Sequence, residues 1–231
     1  MLSVRNVNVY YGAVKVLYDI SLQIESGEPV CVLGKNGVGK TTLLKSIIGL
    51  APPRSGTIEL DGEPVNSLLP YHIARKGVAY VPQGNQLFPD MTVEENLFLA
   101  VRDRRAFDGR IDTAFNYFPV LKDKFRHRAA WLSGGQQKFL AISRALITRP
   151  RVLLLDEPSE GIQPNIVQEL AHIIRSIVEE QKCTLLLVEQ NRDLAFRVAN
   201  RSYIIDRGRV VAEGTPKELE AKGVVRQYLS F

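Results

Sequence analysis

Residues 29–42 read Pro-Val-Cys-Val-Leu-Gly-Lys-Asn-Gly-Val-Gly-Lys-Thr-Thr, and few folds can accommodate them. The run 29–33 is apolar, lacks polar alternation and stops at a glycine. Such a run suits a strand covered on both faces, as inside a parallel sheet. The next residues, Gly34, Lys35, Asn36, Gly37, Val38, Gly39, Lys40 and Thr41, match G-x-x-x-x-G-K-[ST], and Thr42 continues into a helical pattern. Glycines let the backbone curl until its N–H groups point inward at phosphate oxygens. A helix starting near Gly39 aims its positive end at the same place. Lys40 would reach the β- and γ-phosphates, and Thr41 would ligate Mg2+. A strand, a phosphate-cradling turn and a helix, in that order, predict an α/β fold.

Three further apolar runs fit the same sheet: 78–81, 152–155 and 184–188. Helical patterns separate them. After Pro164 the apolar residues Val167, Leu170, Ala171, Ile174, Ile177 and Val178 make one helical stripe. The first 25 residues alternate around Gly12 and predict an antiparallel ribbon, which 56–62 joins. Helices are expected at 92–101, 109–118 and 134–148, and a hairpin turning at Arg207-Gly208. The expected fold is therefore α/β: a P-loop parallel-sheet core, an N-terminal antiparallel β subdomain and an inserted α-helical subdomain. As a domain division, 1–83 and 149–231 form the nucleotide-binding core with its β subdomain, and 84–148 the helical insertion.

In a parallel sheet, ligands bind beyond the carboxyl ends of the strands. Beyond 78–81 stands Gln83, beyond 152–155 stand Asp156 and Glu157, and beyond 184–188 stand Glu189, Gln190 and Asn191. Asp156 would hold Mg2+, and Glu157 would orient or deprotonate the attacking water. The polar end Glu189–Asn191 also has a plain reading, a turn in which Asn191 caps the following helix. The segment 132–146, Leu-Ser-Gly-Gly-Gln-Gln and onward, offers Ser133 as N-cap and Gln136 as its capping-box partner. Gly134 and Gly135 at a helix start are costly, and make sense if another group must approach the backbone closely. The chain thus shows a second anion-binding device.

Composition narrows the partners. The 231 residues carry a formal charge of +5, with Lys and Arg scattered apart from 102–105, so no nucleic-acid partner is expected. Cys31 and Cys183 sit in predicted strands and read as small buried residues, and the three histidines lack metal-like spacing. Neither a run of about 18 apolar residues nor a signal-peptide core is present, which predicts a cytoplasmic protein that enters no membrane itself. No guanine-specific N-K-x-D motif is found.

The ordered set Gly34–Thr41, Gln83, Leu132–Gln136 and Asp156-Glu157 resembles the ATP-binding subunit of ABC transporters over essentially the whole chain. The resemblance implies ATP and Mg2+ as ligands and hydrolysis of ATP as the activity. It implies that two such subunits pair head to tail, each ATP lying between one phosphate loop and the partner's Ser133, Gly134, Gly135 and Gln136. Tyr11 takes the place of the aromatic that stacks on adenine. Gln83 would ligate Mg2+ with Thr41 and Asp156 and sense the γ-phosphate. The helical insertion would grip a cytoplasmic loop of a transmembrane permease, at the inner face of the cell membrane, and a solute-binding protein would act on the other side.

Two departures stand out. Gln190 occupies the position of a γ-phosphate-sensing histidine, and a glutamine donates a hydrogen bond but carries no proton charge. Gln163 stands where an aspartate usually lies. Both resemble importers of branched-chain amino acids, urea and short amides, in which two different ATP-binding subunits cooperate. The segments 81–84 (with Gln83), 132–137 and 156–164 look more like the urea-transport member, with amino-acid import the alternative. A non-transport ABC ATPase and an ATP-dependent dimerisation clamp are less favoured.

Overall fold

The computed structural model describes residues 1–229. Strands β1 (Leu2–Tyr11) and β2 (Val14–Ile24) form an antiparallel ribbon around Gly12, whose φ of 59° is left-handed. Strand β3 (Pro29–Leu33) leads through a loop into helix α1 (Lys40–Ile47). Strand β4 (Ser55–Leu60) joins the other edge of β1, and the two-residue β5 (Glu63–Pro64) closes that sheet in the order β2-β1-β4-β5. Helix α2 (Pro70–Arg75) begins on its proline and precedes β6 (Val78–Val81).

Helices α3 (Val93–Val101), α4 (Arg104–Asp108), α5 (Ile111–Tyr117), α6 (Val120–Asp123) and α7 (Gly134–Leu146) follow, with a 3-10 turn at Ala129–Trp131. Then come β7 (Val152–Asp156), α8 (Pro164–Gln181), β8 (Thr184–Glu189) and α9 (Arg192–Val198). A hairpin of β9 (Arg201–Asp206) and β10 (Arg209–Gly214), then α10 (Pro216–Ala221) and α11 (Val224–Leu229), complete the described chain.

The second sheet runs β10-β9-β3-β8-β7-β6. Strands β3, β6, β7, β8 and β9 are parallel, so the polar ends after β3, β6, β7 and β8 all leave the same edge. Period-two alternation sorts the buried side chains onto two faces. Cys31, Leu33, Leu153, Leu155, Leu185 and Leu187 pack with α7, α8 and α9, while Val30, Val32, Leu154, Leu186 and Val188 pack with α1 and the β1–β2 ribbon.

Phe107, Phe118, Leu121 and Phe139 belong to the first of these clusters, so the helical segment shares the apolar core of the sheet. Phe118 and Phe139 stack at 4.9 Å between ring centroids. Truncating either to alanine is expected to cost about 3–5 kcal/mol.

The helical segment is more broken than its periodicity suggests. The helix expected over 109–118 is found as α5, but α4 precedes it without having been expected: Asp103 accepts from the Ala106 N–H at 2.6 Å and starts a separate short helix capped at Gly109. The Arg207-Gly208 turn is locked in place: Gly208 N–H donates to Val38 O at 3.0 Å and Tyr18 N–H donates to Gly208 O at 2.8 Å. A Cβ on Gly208 would meet Val16 O at 2.1 Å, so only glycine fits between the ribbon and the loop after β3.

Candidate functional site

The loop after β3 wraps around its own lysine. Gly34 is confined, since a Cβ there would meet Ile205 O at 2.6 Å. Gly37 and Gly39 are left-handed, with φ of 79° and 108°. Gly39 is the N-cap of α1 and supplies no side-chain cap, so the first-turn N–H groups stay available to an anion. Lys40 is buried, and its Nζ donates to Gly34 O and Lys35 O, both at 2.9 Å, and pairs with Glu157 Oε1 at 2.8 Å. A hollow of about 350 Å³ opens over this lysine, lined among others by Asn36, Thr41, Thr42, Gln83, Glu157 and Val16. Val16 had no signal in the sequence; it comes from β2, which folds over the loop. Tyr11 stands at the end of β1, 48% exposed.

Strand β7 delivers Asp156, 1% exposed. Its two oxygens are held from opposite sides. Thr41 Oγ1 donates to Oδ1 at 3.0 Å, and Tyr80 Oη donates to Oδ2 at 2.8 Å. Burial raises the Asp156 carboxyl above its usual range, and the hydrogen bonds from Tyr80 and Thr41 oppose that rise. One carboxylate beside one hydroxyl fits Mg2+, which is typically bound by one or two carboxylates with phosphate and water completing its shell. Among the described residues no group of three His, Cys, Asp or Glu could form an all-protein metal cage.

Gln83 lines the same hollow as Thr41, but its amide hydrogen-bonds to neither Thr41 nor Asp156. Its amide donates to Glu160 Oε2 at 3.0 Å and to Glu157 Oε2 at 3.4 Å. Bonds to charged acceptors hold the amide N–H of Gln83 and leave its amide oxygen unassigned to either carboxylate. Glu157, with a left-handed φ of 47°, also donates its N–H to Val188 O at 2.9 Å and so sits against the end of β8.

The polar end of β8 divides its labour. Asn191 caps α9, accepting from the Leu194 N–H at 3.1 Å, as the plain reading expects. Glu189 is 1% exposed, and its carboxylate accepts from Gln190 N–H and Asn191 N–H at 3.0 Å and from Ser159 N–H at 2.9 Å. It therefore ties the loop carrying Gln190 to the loop that follows Glu157. Burial raises the Glu189 carboxyl, and these backbone donors resist the rise. Gln190 itself is partly exposed. An unforeseen charge is Lys138 on α7, buried, lowered in pKa by that burial and favoured by the fields of Glu160, Glu189, Asp156 and Glu157.

The Ser133 region forms its own hollow. Ser133 Oγ accepts from the Gln136 N–H at 3.3 Å and Gln136 Oε1 accepts from the Ser133 N–H at 3.1 Å, a complete capping box. Ser133, Gly134, Gly135 and Gln136 line a cavity of about 510 Å³ with Gly161 and Gln163. No residue of that cavity lines the hollow over Lys40.

The ABC transporter family model matches residues 17–160. The chain is 40% identical over 228 residues to a high-affinity branched-chain amino acid transport ATP-binding protein, BraG, of Pseudomonas aeruginosa, covering 98% of this chain and 97% of that one. It is 32% identical over 248 residues to BraF of the same organism, a second high-affinity branched-chain amino acid transport ATP-binding protein, covering 99% and 97%. A dimeric ATP-binding cassette in a post-hydrolysis state, bound to ADP and Pi, superposes with a TM-score of 0.83 at 26% identity, covering 94% of this chain and 99% of that one. Likeness that runs nearly end to end, in sequence and in fold, makes this chain a member of the ABC transporter family, as an ATP-hydrolysing cassette.

Proposed function

We propose that this cassette hydrolyses ATP to drive uptake of branched-chain or chemically similar aliphatic amino acids. It does so on the cytoplasmic face of the cell membrane, bound to transmembrane permease subunits and served by a solute-binding protein on the far side. The observation that carries this reading is the 40% identity to BraG over almost the full length of both chains. That likeness favours amino acids over the urea and short-amide reading that residues 81–84, 132–137 and 156–164 suggest.

In the proposed mechanism Lys40 and the uncapped N-terminus of α1 hold the phosphates, and Tyr11 stacks on adenine. Thr41 and Asp156 hold Mg2+, which, when bound, offsets charge on the β- and γ-phosphates. Gln83, which lines the same hollow as Thr41, would offer its amide oxygen to the metal. Glu157 takes a proton from, or orients, the attacking water. Gln190 donates a hydrogen bond to the γ-phosphate, while Ser133–Gln136 serve the ATP of a partner cassette.

That partner is a different ATP-binding subunit carrying histidine where this chain has Gln190, although identical chains can pair in isolation. The existence of BraG and BraF in one organism, both resembling this chain, supports a two-cassette arrangement.

Uptake of labelled leucine and labelled urea by cells lacking this chain tests the proposal. Wild-type chain restores leucine uptake. Glu157→Gln leaves ATP binding intact but slows hydrolysis about 100-fold or more, the scale of losing a general base, and restores no uptake. Restoration of urea uptake with no effect on leucine would return the assignment to the urea branch.

A further inference from the structure

The loop that follows Glu157 forms one wall of the α7 hollow and is gripped from behind by Glu189. Gly161, Ile162 and Gln163 line that hollow together with Ser133 and Gly134. The two walls stand close, since a Cβ on Gly134 would lie 3.9 Å from Gly161 O. From this wall a run of hydrogen bonds leads inward. Ile162 N–H donates to Ser159 O at 3.4 Å, and Ser159 N–H donates to Glu189 Oε1 at 2.9 Å. The other carboxylate oxygen, Oε2, accepts from Gln190 N–H and Asn191 N–H, both at 3.0 Å. The two oxygens of one buried side chain thus serve two loops, one reaching the α7 hollow and the other carrying Gln190. The main chain of Glu189 is fixed separately, by its register with Leu33 and by Gly34 N–H, which donates to Glu189 O at 3.3 Å.

We propose that Glu189 is a positioning residue that makes the placement of Gln190 follow the occupancy of the α7 hollow. The occupant is the phosphate end of a nucleotide held by the partner cassette, so the inference rests on the proposed roles of Ser133–Gln136 and of Gln190. A phosphate docked against Ser133 and Gly134 presses on Gly161–Gln163, and Ser159 moves with Ile162. Glu189 is 1% exposed, so water cannot replace a bond that this movement strains. A buried N–H left unmet is costly, and bonds to an ionised acceptor are the stronger ones. The carboxylate therefore follows Ser159. It is one rigid plane, so its other oxygen carries the N–H groups of Gln190 and Asn191 with it. Lys138, buried on the same α7, lies in the field of Glu189 and in turn favours the ionised carboxylate. A nucleotide in one site of the pair thereby adjusts the γ-phosphate sensor of the other.

Glu189→Gln keeps the shape of the side chain and cuts one tie. An amide has one accepting oxygen and one donating nitrogen. The oxygen meets the N–H groups of Gln190 and Asn191, which leaves the nitrogen facing the Ser159 N–H, donor against donor. The readout is ATP turnover by the assembled transporter, with hydrolysis by the partner cassette silenced at its own counterpart of Glu157. Turnover then reports the Lys40 site of this chain. With Glu189 in place, Ser133→Arg should lower it about tenfold, within the usual range of coupling between sites. Glu189→Gln alone should lower it by a similar factor. Adding Ser133→Arg to Glu189→Gln should change it by less than about twofold further, because effects along one route do not multiply. ATP affinity of the isolated Glu189→Gln chain should stay within about twofold of wild type; a larger loss would place Glu189 in the nucleotide site itself and overturn its positioning role. A full effect of Ser133→Arg in the Glu189→Gln chain also overturns the proposal. So does a Ser133→Arg substitution without effect in the chain that keeps Glu189. A second measurement needs no change at Glu189. In the ATP-bound transporter, Ser133→Arg should speed hydrogen exchange at the Gln190 and Asn191 amides, and unchanged exchange there sinks the proposal too. Two controls separate this failure from failure of the roles beneath it. If turnover with both cassettes active is indifferent to Ser133→Arg, the α7 role falls as well. If Gln190→Ala leaves turnover at the Lys40 site unchanged, the sensor role falls as well.

Discussion

Two glycine-rich helix starts, at α1 and at α7, look alike in sequence and are built for different tasks. At α1 the cap is Gly39, left-handed and without a side chain, so the helix offers bare N–H groups. A buried ammonium from Lys40 stands among them. At α7 the cap is Ser133, and the Ser133–Gln136 exchange already uses two of the terminal donors. The residues lining its cavity include no lysine or arginine, and Ser133 and Gly134 are exposed. The first start can hold a polyphosphate by itself. The second can add a few contacts to a phosphate held from elsewhere. Two glycines at a helix start therefore do not define a binding site; what decides is whether a cation and uncapped donors accompany them.

The sharpest way to break that contrast is to remove the cation. Lys40→Ala deletes charge-assisted bonds worth about 1.5–3 kcal/mol each to a phosphate. ATP affinity of the isolated chain should fall on the order of 100-fold, since each 1.4 kcal/mol is about tenfold. Isothermal titration measures it, and retained affinity would mean the α1 site owes little to charge.

Ser133→Arg should do the converse. ATP affinity of the isolated chain should change by less than about twofold, because no residue of the α7 cavity lines the hollow over Lys40. Turnover by the assembled transporter should drop about tenfold or more, as a bulky side chain then stands where a partner's phosphate would dock. A large loss of affinity in the isolated chain would place both starts around one nucleotide.

The smallest effect sharpens the comparison. Gln136→Ala opens the capping box and should cost about 0.5–1 kcal/mol of stability, lowering Tm by about 2–3 °C with ATP binding unchanged. A thermal melt with and without nucleotide checks it. No loss of Tm would mean that the reciprocal bonds of α7 are idle in the folded chain.

Contiguous features of this chain follow from its sequence because their causes are local. The curl of residues 34–41 needs only glycines at the right spacing, the capping box of α7 needs only Ser133 and Gln136, and the strands β3, β6, β7 and β8 announce themselves as apolar runs. The family was legible for the same reason. The partners of the polar strand ends were not.

Thr41 meets Asp156 across 115 residues and Tyr80 meets it across 76, while Glu189 reaches back 30 residues to Ser159. Gln83 turns to Glu157 and Glu160, across 74 and 77 residues. Each of these meetings depends on the sheet order β3-β8-β7-β6, which reverses the chain order of its last three members. Strand neighbours and their register are set by which long-range pairing buries both faces of the sheet best. No local stretch carries that choice, so Tyr80 reads as an ordinary strand residue, and Glu189 as a polar strand end without a partner, until the strands stand side by side.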